Sequence, residues 1–138
     1  MLRRLVLLLA LALPLGAAPA PAAAQTALAW PALSRVRVTG GRPSFDRAVN
    51  ALNRRPVRLT GFMLPLEPTA RHSHFLLTAI PMTDCFYCIP SGPESFVEIR
   101  AATPFPFTYE RITLTGRFEV LTRDPVGFYR ITGARLAR

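Results

Sequence analysis

The chain contains two cysteines, Cys85 and Cys88, and only two residues separate them. Thiolates at this spacing can bind one metal ion, exchange disulfides with a substrate, or close into a small disulfide within a loop. A catalytic Cys-x-x-Cys pair usually opens a helix, but Pro90 and Pro93 follow here and prevent a helix from continuing. We therefore interpret Cys85 and Cys88 first as a disulfide that stiffens a loop and second as part of a metal site. An exported thiol–disulfide oxidoreductase is the alternative.

A tetrahedral zinc site would need two ligands besides the cysteines. His72 and His74 are the obvious candidates, since they form a His-x-His pair upstream of Cys85. Residues 75–80 predict a continuous strand, whose ends would be roughly 20 Å apart at about 3.3 Å per residue. The histidines would then lie in a polar turn at the far end of this strand, which disfavours a shared His/Cys site. Zinc bound through the cysteines is the candidate cofactor.

Other side chains carry less specific chemistry. Met63 and Met82 are soft donors of the kind that Cu(I) binds, although an apolar methionine more often fills a core. Glu94 and Glu98 are interpreted as charges that offset nearby arginines. The sequence has no Gly-x-Ser-x-Gly motif, no phosphate-binding glycine loop and no strong pair of carboxylates. We therefore predict no catalytic residues.

The first 24 residues have the composition of an export signal. A short basic start precedes an apolar run over residues 5–13, and the small residues 22–24 fit a cleavage site before Gln25. The apolar run is shorter than the roughly 20 residues that a transmembrane helix needs. We therefore predict a cleaved signal peptide over residues 1–24, a periplasmic or secreted protein, and no stable membrane span after cleavage.

Arginine dominates the charge of the chain. There are 17 cationic residues, all of them arginine, against 8 acidic residues, and the formal net charge is +9. Loss of Arg3 and Arg4 with the signal peptide would leave +7. This bias fits a G+C-rich genome, and it also suits a surface for phosphates, carboxylates or anionic headgroups; the scattered arginines favour the first explanation. We expect no nucleic-acid partner, because export removes most cellular nucleic acid and the aromatic residues fall at core positions.

The mature chain is predicted to begin with a lead over residues 25–43, which contains Trp30 and a short strand at 34–39. Ser44 is the predicted N-cap of a short helix that ends before Pro56 and has Phe45, Val49 and Leu52 at helical spacing. From Ser44 onward, residues 44–138 are predicted to form a single domain.

Five strands are predicted after the helix, at residues 57–64, 75–80, 96–101, 112–121 and 128–136. Gly61 and Gly116 fall in the middle of the first and fourth strands, where glycine typically marks a bend or a close approach. Long strands bent at their centres suit a small closed barrel. We predict a mainly β fold, a five-stranded OB-like barrel with one short helix before its first strand. An open β-sandwich is the alternative.

The connection between the third and fourth strands is predicted to lack the helix that an OB barrel usually has there. The prolines of residues 103–107 would interrupt such a helix. Either a loop covers that end of the barrel, or the helix before Pro56 plugs it.

Four segments of the sequence together resemble a known bacterial family. Gly-Phe-Met-Leu-Pro-Leu at 61–66 is followed by a Phe-Leu-Leu strand, Cys-x-x-Cys and Gly-Pro-Glu-Ser. This order resembles the domain-of-unknown-function family 3299 over about residues 45–136, and the first segment is its most specific part. The resemblance implies a small exported protein with an OB-like β fold and no established activity, so no catalytic residue is carried over. It also implies association with an ABC-type transporter and, in some lineages, with zinc supply.

The residues and the resemblance together predict a non-enzymatic exported accessory or binding protein of the bacterial envelope. An ABC-type transporter or another envelope protein is the candidate partner.

Overall fold

The computed structural model describes residues 24–81, 92–123 and 126–137. The strands are β1 (Thr26–Ala27), β2 (Val36–Thr39), β3 (Arg42–Phe45), β4 (Pro56–Pro65), β5 (Arg71–Thr78), β6 (Phe96–Pro106), β7 (Ile112–Val120) and β8 (Tyr129–Leu136). The helices are α1 (Trp30–Leu33) and α2 (Arg47–Ala51). None of the helices in these ranges is long and apolar enough to cross a membrane.

Strands β4 to β8 close into a five-stranded barrel. Hydrogen-bonded neighbours follow the order β4-β5-β6-β8-β7, and β7 pairs with β4 to complete the ring. β6 and β8 run parallel, whereas the other neighbours in the ring are antiparallel. This order, with a parallel contact between the third and fifth barrel strands, is that of an OB fold. The predicted OB-like barrel is confirmed, and the open sandwich is wrong.

Two mid-strand glycines mark irregular points of the barrel, as the sequence predicts. β4 pairs with β7 up to Gly61 and with β5 from Phe62 onward, so the strand changes partners at this glycine. In β7 the register against β8 shifts between Thr115 and Arg117, at Gly116. Glycine suits both places, because a side chain there would hold the neighbouring strands apart.

Alternate residues of the barrel strands fill one contiguous core. Its members in the barrel are Val57, Leu59, Met63, Phe75, Leu77, Val97, Ile99, Phe105, Leu114, Phe118, Tyr129, Ile131 and Ala134. Leu28, Leu33 and Val49 join this core from the N-terminal segment. Met63 is therefore a core-filling residue, which was the simpler of its two interpretations.

The short helices cover the end of the barrel where β4 begins and β7 ends. Val49 of α2 is buried in the core. After the helix, Arg54 N donates to the carbonyl of Phe118 at 2.7 Å, and Asn53 Oδ1 accepts from Val120 N at 3.1 Å. These bonds fix α2 directly against the end of β7.

Aromatic side chains of the β6–β7 connection cover the opposite end. Phe107 contacts Tyr109 and His72, with ring centroids 4.6 Å and 6.3 Å apart. Phe105, at the end of β6, contacts Phe75 in the core at 5.9 Å. The loop thus covers this end of the barrel and the helices cover the other.

The N-cap of α2 differs from the sequence prediction. Asp46 Oδ1 accepts a hydrogen bond from Ala48 N at 3.2 Å, so Asp46 caps the helix. Ser44 instead lies in β3, opposite Arg37 of β2. The pattern after Ser44 resembled a helix start because a capping residue and apolar residues at helical spacing do follow it, two residues later than predicted.

Part of the predicted N-terminal lead is hydrogen-bonded to the barrel. β1 pairs in parallel with β4, and Leu28 N then donates to the carbonyl of Arg58 at 2.8 Å. Trp30 Nε1 donates to the carbonyl of Thr60, also at 2.8 Å. These bonds use mainly backbone groups, so the composition of the lead does not reveal them.

Tyr129 links the barrel to α1. It is 1% exposed, and its hydroxyl donates to the carbonyl of Leu33 at 2.7 Å. Its ring stacks on Phe118 at 5.7 Å and contacts Phe45 at 5.6 Å. Burial, with a smaller contribution from the charge of Glu94, raises the pKa of Tyr129 from 10.0 to about 12.

This shift predicts a loss of stability at alkaline pH. The Tyr129 contribution is fully present below pH 10.0 and is lost as the pH rises toward about 12, because the unfolded chain ionises first. Tyr129→Phe should remove this part of the pH dependence and cost about 1 kcal/mol at neutral pH through the lost hydrogen bond. Denaturant unfolding at a series of pH values measures both effects. Tyr109→Phe, at an exposed ring, should keep the wild-type profile; an unchanged alkaline decline in Tyr129→Phe would refute the assignment.

Candidate functional site: a buried carboxylate outside the barrel

The outer face of β5, β6 and β8 carries the carboxylate of Glu98. Val97 and Ile99 belong to the core, so strand alternation directs Glu98 away from it. Pairing places Leu76 of β5 on one side of Glu98 and Arg130 of β8 on the other. Glu98 is nevertheless 0% exposed, which is rare for a glutamate that has no partner.

Three basic side chains bind the Glu98 carboxylate. His74 Nε2 donates to Oε1 at 2.9 Å. Arg100 donates to the same oxygen from Nε at 2.9 Å and lies 2.8 Å from it through Nη2. Arg130 Nε donates to Oε2 at 2.6 Å. Both carboxylate oxygens therefore have charged or polar donors, the condition under which proteins tolerate a buried carboxylate.

Strand pairing explains why these four side chains meet. His74 of β5 lies opposite Arg100 of β6, and Glu98 of β6 lies opposite Arg130 of β8. Directly opposite residues share a face of the sheet, and so do residues two positions apart on one strand. The cluster, which we call the Glu98 cluster, is therefore built from three adjacent strands of the rigid barrel.

The Glu98 cluster is closed at its centre and open at its rim. Glu98 is fully buried, whereas the side chains of Arg130, His74 and Arg100 are 21%, 29% and 49% exposed. His74 donates from Nε2 to a carboxylate, so a neutral ring carries its acceptor at Nδ1. The rim thus combines guanidinium donors with an imidazole.

Glu119 and Thr132 extend the same face. Thr132 lies opposite Arg100, and Glu119 lies opposite Arg130. Thr132 Oγ1 donates to Glu119 Oε1 at 3.4 Å. Basic and acidic groups therefore alternate on this face. Such a pattern favours a ligand that makes specific contacts over a polyanion that is attracted by net charge alone.

His72 and His74 do not form the pair that their spacing suggests. Both lie within β5, so their predicted place in a polar turn is wrong. The register against β6 shifts between them, with His72 opposite the core residue Phe105 and His74 opposite Arg100. His72 is 4% exposed and contacts Phe107, whereas His74 belongs to the Glu98 cluster. The irregular register thus separates the two imidazoles, one toward the core and one outward.

Cys85, Cys88 and Met82 lie outside the described residues, so the disulfide and the metal site at the cysteines stay predictions. Within the described part of the chain, no group of three His, Cys, Asp or Glu side chains is arranged to hold a metal ion. The zinc site that would join His72 and His74 to the cysteines likewise stays a prediction. The zinc hypothesis therefore depends on the cysteine pair.

Glu98 pairs with arginines, as its sequence context predicts, but its complete burial is not predicted from the sequence. The pairing is present with Arg100 and Arg130. A local signal was available, since Glu98 stands between Val97 and Ile99 in a buried stretch and Arg100 follows on the same face. The third contact, from His74, depends on the alignment of two strands and has no signal in the local sequence.

Neither a family model nor a curated protein matches the chain. Its structure does match the crystal structure of a DUF3299 family protein from Pseudomonas aeruginosa, with a TM-score of 0.57 at 18% sequence identity. The match covers 83% of this chain and 97% of the other. A likeness at this identity establishes the fold and not the activity. The chain therefore has the fold of a DUF3299 family protein, in agreement with the family that its sequence segments resemble.

Proposed function

We propose that the protein is an exported, non-enzymatic binding or accessory domain of the bacterial envelope, and that its partner binds the outer face of β5, β6 and β8. The Glu98 cluster is the observation that carries this proposal. OB folds bind their ligands on the face of the second and third barrel strands, which here are β5 and β6. The cluster lies on that face and extends to β8.

Stability alone does not account for the cluster. Burial of a charged group costs several kcal/mol of desolvation, and replacement of buried ion pairs by apolar residues is often neutral or stabilising. What the Glu98 carboxylate does is hold three flexible side chains in one arrangement. Preordered side chains lose less conformational entropy when a ligand binds. We therefore assign the cluster to recognition.

The rim favours a partner that presents a carboxylate among other polar groups. The planar guanidinium of Arg100, which is half-exposed, is suited to bidentate contact with a carboxylate. Glu98 and Glu119 lower the net positive charge of the face, which disfavours ligands of very high negative charge density. A polypeptide segment with an acidic side chain meets both conditions. An envelope protein, such as a component of an ABC-type transporter, is the partner that the family resemblance supports.

Export and zinc supply complete the proposal. The basic start, the apolar run and the small residues before Gln25 support export. Zinc would bind through Cys85 and Cys88, and zinc titration of the reduced mature protein against a Cys85→Ser/Cys88→Ser variant tests this part. Equal affinity in the two proteins would remove the cysteines from any metal role.

Site-specific photo-crosslinking tests the proposed face. A photoreactive amino acid at Thr132, next to Arg100, should form an adduct with an envelope partner under ultraviolet light. The matched control is the same amino acid at Arg58, which is exposed on the outer side of β4. An adduct at Thr132 and none at Arg58 is the expected result. Equal adducts at both positions, or an adduct at Arg58 alone, would place the partner elsewhere.

A further inference from the structure

One face of the β2–β3 hairpin carries three arginines. Three successive pairs of facing residues, which we call rungs, lie on this face: Arg35 with Asp46, Arg37 with Ser44, and Thr39 with Arg42. The last two rungs are paired residues of the strands, and the ion pair between Arg35 and Asp46, at 3.4 Å, continues the ladder beyond them. Every second residue of a strand faces the same way, so these six side chains form one surface, which we call the arginine face.

A tight turn and an aromatic contact fix the two ends of the arginine face. Gly40 and Gly41 have φ values of 57° and 74°, which give the tight two-residue turn whose twist matches paired strands and sets their register. At the base of the hairpin, Phe45 contacts Phe128 at 5.9 Å and Tyr129 at 5.6 Å. An isolated two-stranded hairpin is only marginally stable in water, so this aromatic anchor is what holds the strands in place.

The charges on this face are unbalanced. Asp46 is the one acid among the six side chains, and it is paired with Arg35. Within the described ranges, Arg37 and Arg42 have no ion pair with an acidic side chain. Like charges on neighbouring rungs repel one another, and a bound anion would relieve that repulsion.

A cleft lies at the base of the hairpin, beside the Arg35–Asp46 and Arg37–Ser44 pairs of the arginine face. Its volume is about 490 Å³, within the range of small-molecule sites, and it is lined by Arg35, Val36, Arg37, Ser44, Phe45 and Asp46. The Ser44 hydroxyl stands opposite Arg37 and adds a neutral donor beside the guanidinium. Two of the three arginines line the cleft, and Arg42 lies beyond it at the turn end of the same face. Guanidinium and hydroxyl donors together commonly bind phosphate oxygens.

We infer that the arginine face is a second binding site, separate from the Glu98 cluster, for an anion that carries more than one phosphate group. Alternate residues along a strand lie roughly 7 Å apart, so successive phosphates of one ligand can each contact a different arginine. A soluble polyphosphate and a surface of anionic lipid headgroups share this chemistry. The acidic groups that interrupt the Glu98 cluster are absent from the outer two rungs of the hairpin.

Binding of two probes to the mature protein tests this inference. Inorganic tripolyphosphate is titrated by calorimetry, and vesicles of phosphatidylglycerol with phosphatidylcholine are compared with phosphatidylcholine alone in sedimentation. Arg37→Gln/Arg42→Gln should weaken binding at least about tenfold, because two charge-assisted contacts are lost. Arg58→Gln/Arg135→Gln removes the same charge from exposed positions on the barrel and should change binding by less than about twofold.

The two probes separate the sources of phosphate. If tripolyphosphate binding depends on Arg37 and Arg42, the ligand is a soluble polyphosphate. If only binding to anionic vesicles depends on these two arginines, the ligand is a lipid headgroup surface. Either result supports the site. Equal weakening in the two double variants would show general charge attraction and overturn it, as would failure of the wild-type protein to bind either probe. Thermal unfolding checks that both variants are folded. Both double variants keep the Glu98 cluster, so the photo-crosslinked adduct at Thr132 should form in them whether or not phosphate binding is lost.

Discussion

Replacement of Glu98 by alanine should lower the free energy of unfolding by about 3 kcal/mol, the usual cost of removing one partner from a buried ion pair. His74, Arg100 and Arg130 would lose the carboxylate that they share. Arg100 can turn toward solvent because it is half-exposed, whereas Arg130, only 21% exposed, has less freedom to do so. Urea unfolding, followed by far-ultraviolet circular dichroism, measures the change.

Glu110→Ala is the matched control for this prediction. Glu110 is exposed in the β6–β7 connection, and its removal deletes the same carboxylate from the chain. The control should change stability by less than about 1 kcal/mol, as is typical of exposed charges. If Glu98→Ala were as stable as the control, the carboxylate would not be holding the basic side chains together.

Addition of a single methyl group at Gly61 should also be costly. The Cβ of Gly61→Ala would lie 2.5 Å from the carbonyl oxygen of Thr78 and 2.9 Å from Leu77 Cγ. The first contact is with backbone of β5, so it cannot be relieved by rotating a side chain, and the strands must move apart. We expect a loss of about 2 kcal/mol, within the usual range for overpacking.

The comparison variant for Gly61 is Ala102→Val, which also adds carbon atoms to a barrel strand. Ala102 is exposed in β6, so the added atoms should meet solvent and leave stability nearly unchanged. Thermal unfolding of both variants distinguishes the two positions. If Gly61→Ala unfolded at the same temperature as the wild type, the strands would not be in close contact at the place where β4 changes partners.

The barrel could be predicted from the sequence because its signals are local. Alternating apolar residues mark the strands, and the glycines at 61 and 116 mark their irregular points. β5 begins earlier than predicted and ends at Thr78 instead of residue 80, and β6 continues beyond its predicted end, because residues 71–74 and the prolines after Ala101 are not typical strand sequences. Backbone pairing with neighbours in the closed sheet outweighed these weak preferences.

The candidate site was much less predictable. A pattern of alternate residues shows that Glu98 points away from the barrel, but His74 and Arg130 reach it from separate strands. The register shift between His72 and His74 has no signature in a His-x-His motif, which in a regular strand would place both rings on one face. The hairpin of β2 and β3 was missed because Pro43 and the helix-like pattern after Ser44 concealed its second strand.

If a partner binds the outer face of β5, β6 and β8 through side chains that Glu98 holds in place, crosslinking at Thr132 should depend on the Glu98 carboxylate. The photoreactive amino acid at Thr132 is placed in the wild-type protein and in Glu98→Gln, which keeps the shape of the side chain but removes its charge. The adduct should form with the wild type and fall to a small fraction of that yield in the variant. Thermal unfolding checks that both proteins are folded. An undiminished adduct in folded Glu98→Gln would show that partner binding on this face does not depend on the Glu98 carboxylate.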